Sequence, residues 1–223
     1  MLTRELLTTG EYYESIRDCS EHPLWSKQQI MDSMRETLAS RPTGPLWLFA
    51  YGSLIWNPLF RSTDSRRATL DGWHRRFCIR LVVGRGTAER PGRMLALEAG
   101  GSTAGIAYQF SESSLSAELS VVWMREMVGG VYEPRWERIR FEDGHEVEAI
   151  AFVANKAHPL YESASEIEHV APIVEGASGT LGRNAEYATM LQDSLREHDM
   201  ADPYVDTLVE ALGNSQRLVT GDR

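Results

Sequence analysis

The sequence has few of the residues on which several classes of protein depend. Its 223 residues contain two cysteines, Cys19 and Cys78, too few for a disulfide framework or a cysteine metal cluster. The formal net charge is −9, whereas a nucleic-acid-binding protein normally carries a basic excess. No apolar run approaches the roughly 20 residues that cross a bilayer, and residues 1–5 do not open a signal peptide. We therefore expect a reduced, cytoplasmic protein that binds neither nucleic acid nor a membrane.

Patterns typical of metal- and cofactor-dependent enzymes are missing as well. The six histidines show no metal-ligand spacing, and Ser53 does not stand in a Gly-x-Ser-x-Gly nucleophile elbow. Residues 84–92 have the glycine content of a dinucleotide fingerprint, but Glu89 takes the third glycine position and Pro91 prevents an immediate helix. Cys78 lies in a predicted strand and is interpreted as a small core residue. The sequence therefore predicts no metal and no cofactor.

The order of the predicted elements indicates an α+β protein. A chain of this length can bury one good core, so we expect a single domain over residues 1–223. Residues 1–44 predict an N-terminal helical extension, in which Ser26 and Gln29 form a capping box. Strand patterns fill the middle of the chain and helical patterns the last seventy residues. This order predicts a curved or barrel-like sheet with helices packed around it, the extension packing without chemistry of its own.

Within the strand region, two short apolar runs at residues 94–99 and 104–110 predict a hairpin across Gly100-Gly101-Ser102. The basic cluster at residues 74–76 interrupts an earlier strand pattern and is interpreted as a solvated strand face. Three further arginines could meet a substrate carboxylate from the following loop, although exposure to solvent is the more frequent outcome. They are Arg85, Arg90 and Arg93.

The stretch with the clearest functional pattern is a buried strand that ends in a glycine turn. Residues 46–49 are apolar and uncharged, as in a strand buried on both faces. The turn Tyr51-Gly52-Ser53-Leu54 follows, in which Gly52 lets the backbone bend and approach another group closely. Consecutive backbone N–H groups at such a turn suit a carboxylate or a developing oxyanion. The alternative is a plain connecting turn.

One carboxylate stands out in the helix predicted over residues 114–127. At 100° per residue, Glu126 falls in the middle of the apolar stripe formed by Leu115, Leu119 and Val122. Burial should raise its pKa toward neutrality and make it a general acid or base. The alternatives are an ion pair with Arg125 or Arg135, or outward rotation where the helix ends.

Several motifs follow one another in a specific order along the chain. They are Tyr51-Gly52-Ser53-Leu54-Ile55-Trp56-Asn57-Pro58, His74-Arg75-Arg76-Phe77-Cys78, Arg85-Gly86-Thr87 with Glu89-Arg90-Pro91-Gly92, and Trp123-Met124-Arg125-Glu126-Met127. The set continues with Ser178-Gly179, Leu181-Gly182, Asn184, Tyr187 and the N-terminal Leu2-Thr3-Arg4. Together these motifs resemble the ChaC family, the glutathione-specific γ-glutamylcyclotransferases. The likeness covers nearly the whole chain, and Gly84 departs from it where the family often has histidine.

The resemblance implies a γ-glutamylcyclotransferase-like mixed β-barrel flanked by N- and C-terminal helices. It also implies cleavage of glutathione to 5-oxoproline and Cys-Gly, with Glu126 as the catalytic residue and the turn from Tyr51 to Leu54 as the substrate-binding one. Tyr51, Tyr132 and Tyr187 are candidate pocket-lining hydroxyls, with core packing as the alternative for each. Two alternative functions stay open: cyclotransfer on other γ-glutamyl amino acids or amines, and a non-catalytic carboxylate-binding regulatory domain.

Overall fold

A computed structural model describes the backbone of residues 2–17 and 23–220 and the side chains up to residue 214; Cys19 lies outside the described residues. The elements, in chain order, are α1 Arg4–Thr9, α2 Glu11–Arg17, α3 Lys27–Ala39, β1 Trp47–Ala50, β2 Asp64–Leu81, β3 Gly92–Gln109, α4 Leu115–Glu126, β4 Tyr132–Phe141, β5 Glu146–Ala154, α5 Ile167–Gly176, β6 Ser178–Gly179, β7 Gly182–Arg183, α6 Asn184–Glu197 and α7 Pro203–Thr220.

Five strands close a barrel in the order β1-β3-β2-β4-β5. β1 pairs antiparallel with β3, Trp47 lying opposite Gln109, and parallel with β5, where Trp47 lies opposite Ala149. All four residues of β1 are buried, because the strand has neighbours on both edges and side chains packed on both faces. The predicted mixed barrel with N- and C-terminal helices is therefore confirmed.

The chain divides into two compact units, which we describe separately. The first comprises Met1–His74 and Leu97–His158, and contains α1 to α4, β1, β4, β5 and part of β2 and β3. The second comprises Arg75–Ala96 and Pro159–Arg223, and contains the rest of those two strands with α5 to α7. The single domain over residues 1–223 stays a prediction. Among the described residues, no helix has the length and apolar character needed to cross a membrane.

A local sequence signal placed the start of α3 correctly. Ser26 precedes α3 with the predicted capping box: its hydroxyl accepts from the amide of Gln29, whose side chain accepts from the amide of Ser26. At the start of α7, the carboxylate of Asp202 accepts from the amides of Tyr204 and Val205. Cys78 is fully buried in β2, as expected of a core thiol.

The predicted hairpin at residues 94–110 is wrong, because this segment is one continuous strand, β3. Gly100 and Gly101 have φ angles of +118° and +66°, which L side chains rarely adopt. These glycines bend β3 in its middle without reversing it. Glycine inside a long strand often marks such a bend, so the glycine pair alone did not distinguish a kink from a turn.

The interpretation of residues 74–76 as a solvated face is wrong for the central residue, Arg75. Its side chain is 1% exposed and forms an ion pair of 2.9 Å with Asp202. The two residues are 127 positions apart in the sequence. Arg93, expected in an exposed loop, is also buried, because β3 begins at Gly92.

Candidate active site

The site is built on the end of β1. Tyr51 follows the strand directly, and its buried hydroxyl donates a 2.6 Å hydrogen bond to the backbone oxygen of Phe152 in β5. On the neighbouring strand β3, a Cβ at Gly105 would lie 2.4 Å from the backbone oxygen of Ala50. Only glycine lets β3 approach this closely, so the point where β1 ends is fixed by packing on both sides.

The turn after Tyr51 coils so that its carbonyl groups are used internally. Ile55 N–H donates to the oxygen of Gly52 at 2.9 Å, and Asn57 N–H donates to the oxygen of Ser53 at 3.0 Å. Within the described residues, the amides of Gly52, Ser53 and Leu54 donate to no protein acceptor. The first N–H groups of a helical turn are the ones left unpaired, and they attract anions. The turn thus has the donors that a nest needs.

Helix α4 carries Glu126 as its last residue. The helix packs on the core through the predicted stripe, in which Leu119 and Val122 are buried, and through Trp123, whose ring stands edge-on to Phe152 at 5.1 Å. The side chain of Glu126 is 15% exposed. Burial raises the pKa of its carboxyl above the ordinary value of 4.5, while the positive charge of Arg125 acts to lower it.

Arg125 connects Glu126 to the turn. Its Nε lies 3.1 Å from Oε1 of Glu126, and one Nη donates to Oγ of Ser53 at 2.8 Å. The other Nη donates to the backbone oxygen of Asn57. The planar guanidinium therefore joins the carboxylate and the turn in one hydrogen-bonded network. The ion pair between Arg125 and Glu126, foreseen as an alternative to a functional role, is present, whereas Arg135 pairs with Glu133 at 2.8 Å.

Sequence reasoning missed Tyr12, which lies in α2 of the N-terminal extension. Burial raises the pKa of the Tyr12 hydroxyl to about 12, with the negative charge of Glu126 as the next cause and Arg125 in opposition. The tyrosine is therefore close enough to sense the charge of the candidate catalytic carboxylate. No pattern in residues 1–44 indicated this, because an aromatic residue on a short helix is usually a packing residue.

A second buried carboxylate in α4, Glu118, was also missed. Its side chain is 5% exposed and accepts two hydrogen bonds from Arg4, at 2.5 and 3.0 Å, and one from the amide of Arg61 at 2.9 Å. Arg4 also donates to the backbone oxygen of Leu59 at 3.0 Å. These contacts anchor α1 and residues 59–61 to α4, about two turns away from Glu126.

The three candidate tyrosines do not lie in one unit. Tyr51 and Tyr132 both reach Phe152: the first by its hydrogen bond, the second by an edge-on ring contact at 6.4 Å. Tyr132 is buried at the start of β4. Tyr187 belongs to α6 in the second unit, where its ring stands edge-on to Phe77 at 6.0 Å. The substrate-binding role of Tyr132 and Tyr187 stays a prediction.

In chemical terms, the first unit offers one largely buried carboxylate of raised pKa and a turn with a row of unpaired amides, and an arginine joins the carboxylate to that turn. Such a set can move a proton and stabilise an oxyanion without a protein nucleophile. A mixed barrel that carries this set at the end of its first strand is what the resemblance of the sequence motifs to the γ-glutamylcyclotransferases implies.

Comparison with known proteins gives the family. A family model described as ChaC-like protein matches residues 46–215, and the chain belongs to the ChaC family. It is 45% identical to the glutathione-specific γ-glutamylcyclotransferase of Escherichia coli K12, over 94% of this chain and 91% of the relative. It is 32% identical to the human glutathione-specific γ-glutamylcyclotransferase 1, over 75% of this chain and 78% of that protein.

The fold has a solved counterpart. The crystal structure of a γ-glutamyl cyclotransferase specific to glutathione, from yeast, superposes with a TM-score of 0.70 at 17% sequence identity. The match covers 77% of this chain and 97% of the yeast chain. At this identity the likeness establishes the fold alone, and it agrees with the barrel described above.

Proposed function

We propose that this chain is a glutathione-specific γ-glutamylcyclotransferase that cleaves glutathione to 5-oxoproline and Cys-Gly. The observation that carries the proposal is the connection of Glu126, buried and of raised pKa, to the Ser53 turn through Arg125. The names of the Escherichia coli and human relatives support the substrate. The proposal includes a cytoplasmic location and no cofactor.

The reaction needs no nucleophile from the protein. The α-amine of the γ-glutamyl group attacks its own γ-carbonyl carbon, and a new C–N bond closes a five-membered ring. The amide C–N bond to cysteine then breaks, and Cys-Gly leaves as an amine. One proton must leave the attacking ammonium, and one must reach the departing nitrogen. The protein must therefore fold the substrate for attack, move a proton and stabilise the oxyanion between the two steps.

Glu126 is assigned the proton transfers. A carboxylate is an efficient base near neutral pH only when its pKa is raised, which burial of Glu126 achieves. As the carboxylate it accepts the proton of the ammonium, and as the acid it returns that proton to the leaving amine. Arg125 limits the rise of the pKa and orients the carboxylate through its Nε.

The turn is assigned the oxyanion. The amides of Gly52, Ser53 and Leu54 are donors with no protein acceptor in the part of the chain described, so they are available to a developing negative charge. Because they belong to a buried strand end, they need little reorganisation during the reaction. The hydroxyls of Tyr51, Tyr132 and Tyr187 remain proposed pocket-lining groups, while that of Tyr51 already donates to Phe152.

The test is Glu126→Gln, which preserves shape and an acceptor for Arg125 but removes the ionisable proton. Turnover of glutathione, measured as 5-oxoproline, should fall roughly a hundredfold to ten-thousandfold, the range for a lost general acid–base. The apparent affinity for glutathione should change little, because the turn is untouched. Glu133→Gln is the matched control: Glu133 is a neighbouring, 41% exposed glutamate that also pairs with an arginine. It should retain wild-type turnover.

Three results would contradict the proposal in whole or in part. A well-folded Glu126→Gln protein with near-normal turnover would show that the ion pair with Arg125 is structural only. Equal rates on glutathione and on a panel of γ-glutamyl amino acids would keep the chemistry but remove the specificity. Absence of 5-oxoproline from every substrate of the panel would favour a carboxylate-binding domain without catalysis.

A further inference from the structure

The second unit contains a cavity of about 550 Å³ whose lining residues include neither Glu126 nor the Ser53 turn. Its size is in the range of sites for small organic molecules. Two arginines from the barrel strands, Arg80 and Arg93, line it together with Glu162, and apolar surface comes from Pro91, Pro172 and Ile173. A cavity lined by both apolar and charged groups suits a ligand that has both.

The arginines in this cavity are incompletely paired. The Nε atoms of Arg80 and Arg93 are buried and have no hydrogen-bond partner among the described residues. Arg93 is 8% exposed, and its nearest carboxylate oxygen, on Glu162, lies 3.6 Å from its Nη1. That distance is longer than a charge-assisted hydrogen bond, and Glu162 is itself 35% exposed.

Arg90 and Glu89 also line the cavity, so its wall carries three arginines and two glutamates. The positive charge therefore exceeds the negative charge by one. Burial lowers the pKa of Arg93, Glu162 acts in the opposite direction, and the charge of Arg80 lowers it further. Helix α5 ends at Gly176 on the cavity wall, but the end of a helix carries only about half a negative charge. Buried polar groups in native proteins are nearly always paired, so each Nε needs a partner outside the described protein atoms, either an ordered water or a ligand.

We infer that this cavity binds a small organic anion, whose carboxylate or phosphate group is held by the guanidinium groups of Arg80 and Arg93. Both groups present several negatively charged oxygens, which is what a guanidinium fork recognises. The apolar part of the ligand would lie against Pro172 and Ile173. This inference does not depend on the proposed function, because it uses no residue of the first unit.

The experiment is thermal unfolding of the full chain in increasing concentrations of inorganic phosphate, a phosphomonoester (glycerol 3-phosphate) or a short carboxylate (butyrate), with ionic strength held constant by sodium chloride. A ligand that binds only the folded state raises the melting temperature with a saturable dependence on concentration. The melting temperature of the wild-type protein should rise in this saturable way with a phosphate or a carboxylate probe. The probe class that acts at the lower concentration identifies the anionic group that the cavity binds. The organic probe should act at lower concentration than inorganic phosphate if the apolar wall contributes.

Arg80→Met and Arg93→Met should lose the response, while Arg196→Met should retain it. Arg196 is the matched control, since it lies in the same unit with a 63% exposed side chain. Without anion, Arg80→Met should melt at or above the wild-type temperature, because a buried Nε without a hydrogen-bond partner opposes folding. The inference is overturned if wild type shows no saturable response to any probe, or if Arg80→Met responds as wild type does. Should Arg93→Met fail to fold, wild type and Arg80→Met still decide the outcome.

Discussion

The two glutamates of α4 should affect stability with opposite dependence on pH. Glu118 has a lowered pKa: burial acts to raise it, but the hydrogen bonds from Arg4 and the Arg61 amide prevail. Its contribution to stability is therefore present above the ordinary value of 4.5 and lost as the pH falls through its folded pKa. Glu126 has a raised pKa, so its contribution is unfavourable once the pH rises above 4.5 toward its folded pKa.

The magnitude for Glu118→Gln follows from its contacts. Breaking a buried ion pair costs about 3–5 kcal/mol, and hydrogen bonds to a charged group contribute about 1.5–3 kcal/mol each. Arg4 is 34% exposed and regains water when its partner is lost, so the lower end applies. We expect Glu118→Gln to lower the free energy of unfolding by roughly 3 kcal/mol at pH 7, and by less below pH 4.5. The free energy of unfolding of Glu126→Gln should instead increase relative to that of wild type as the pH rises.

The assay is urea unfolding of wild type and both variants at several pH values from 2.5 to 8, followed by circular dichroism, because the window for Glu118 lies below pH 4.5 and the window for Glu126 above it. The useful quantity is the difference in free energy of unfolding between each variant and wild type, plotted against pH. The two plots should slope in opposite directions. Parallel plots would show that the environments of the two carboxylates do not differ as the contacts indicate, and would remove the basis for treating Glu126 as a poised acid–base.

Two further predictions concern the contacts around the turn. Gly105→Ala would place a Cβ 2.4 Å from the oxygen of Ala50, so it should lower both the melting temperature and the turnover of glutathione. Gly213→Ala is the control and should lower neither, because a Cβ there has nothing within 4 Å. Equal effects of the two variants would refute the close approach of β3 to Ala50. Arg125→Gln removes the charge that lowers the pKa of Glu126, so the acid limb of the pH–rate profile should move to higher pH. Arg125→Lys keeps the charge and should move that limb less. An acid limb that does not move in Arg125→Gln would contradict the ion pair between Arg125 and Glu126.

The parts of the fold predicted from sequence are those with local causes. β1 was found because a strand with neighbours on both sides must be apolar throughout, and α3 because its capping box involves residues three positions apart. The burial of Glu126 at the end of α4 followed from the helical period alone. Its catalytic role came from the family resemblance and stays a proposal.

The errors about charged residues share another cause, which is a partner distant in sequence. Arg75 looks like part of a solvated basic cluster until Asp202 is brought to it. Glu118 looks like an exposed residue in the first turn of α4 until Arg4 is present. A charged residue is exposed by default, because burying it without a partner is costly, and the sequence does not show which partner the fold supplies. The error at Gly100 and Gly101 has a different cause, because a glycine pair between apolar runs fits both a turn and a bend within one strand.

Contacts between residues distant in sequence also extend the surroundings of Glu126 beyond the part of the chain that the family model matches. The family model begins at residue 46 and covers the barrel, the turn and α4, so the resemblance accounts for the fold and for the proposed reaction. Residues before position 46, outside that match, also contribute to the environment of Glu126. Tyr12 senses its charge, and Trp25 donates its amide to the oxygen of Val128, two residues after α4 ends. Because a carboxylate's pKa is set by every charge and every apolar group around it, the N-terminal extension belongs to the electrostatic description of the site, although no sequence pattern pointed to Tyr12.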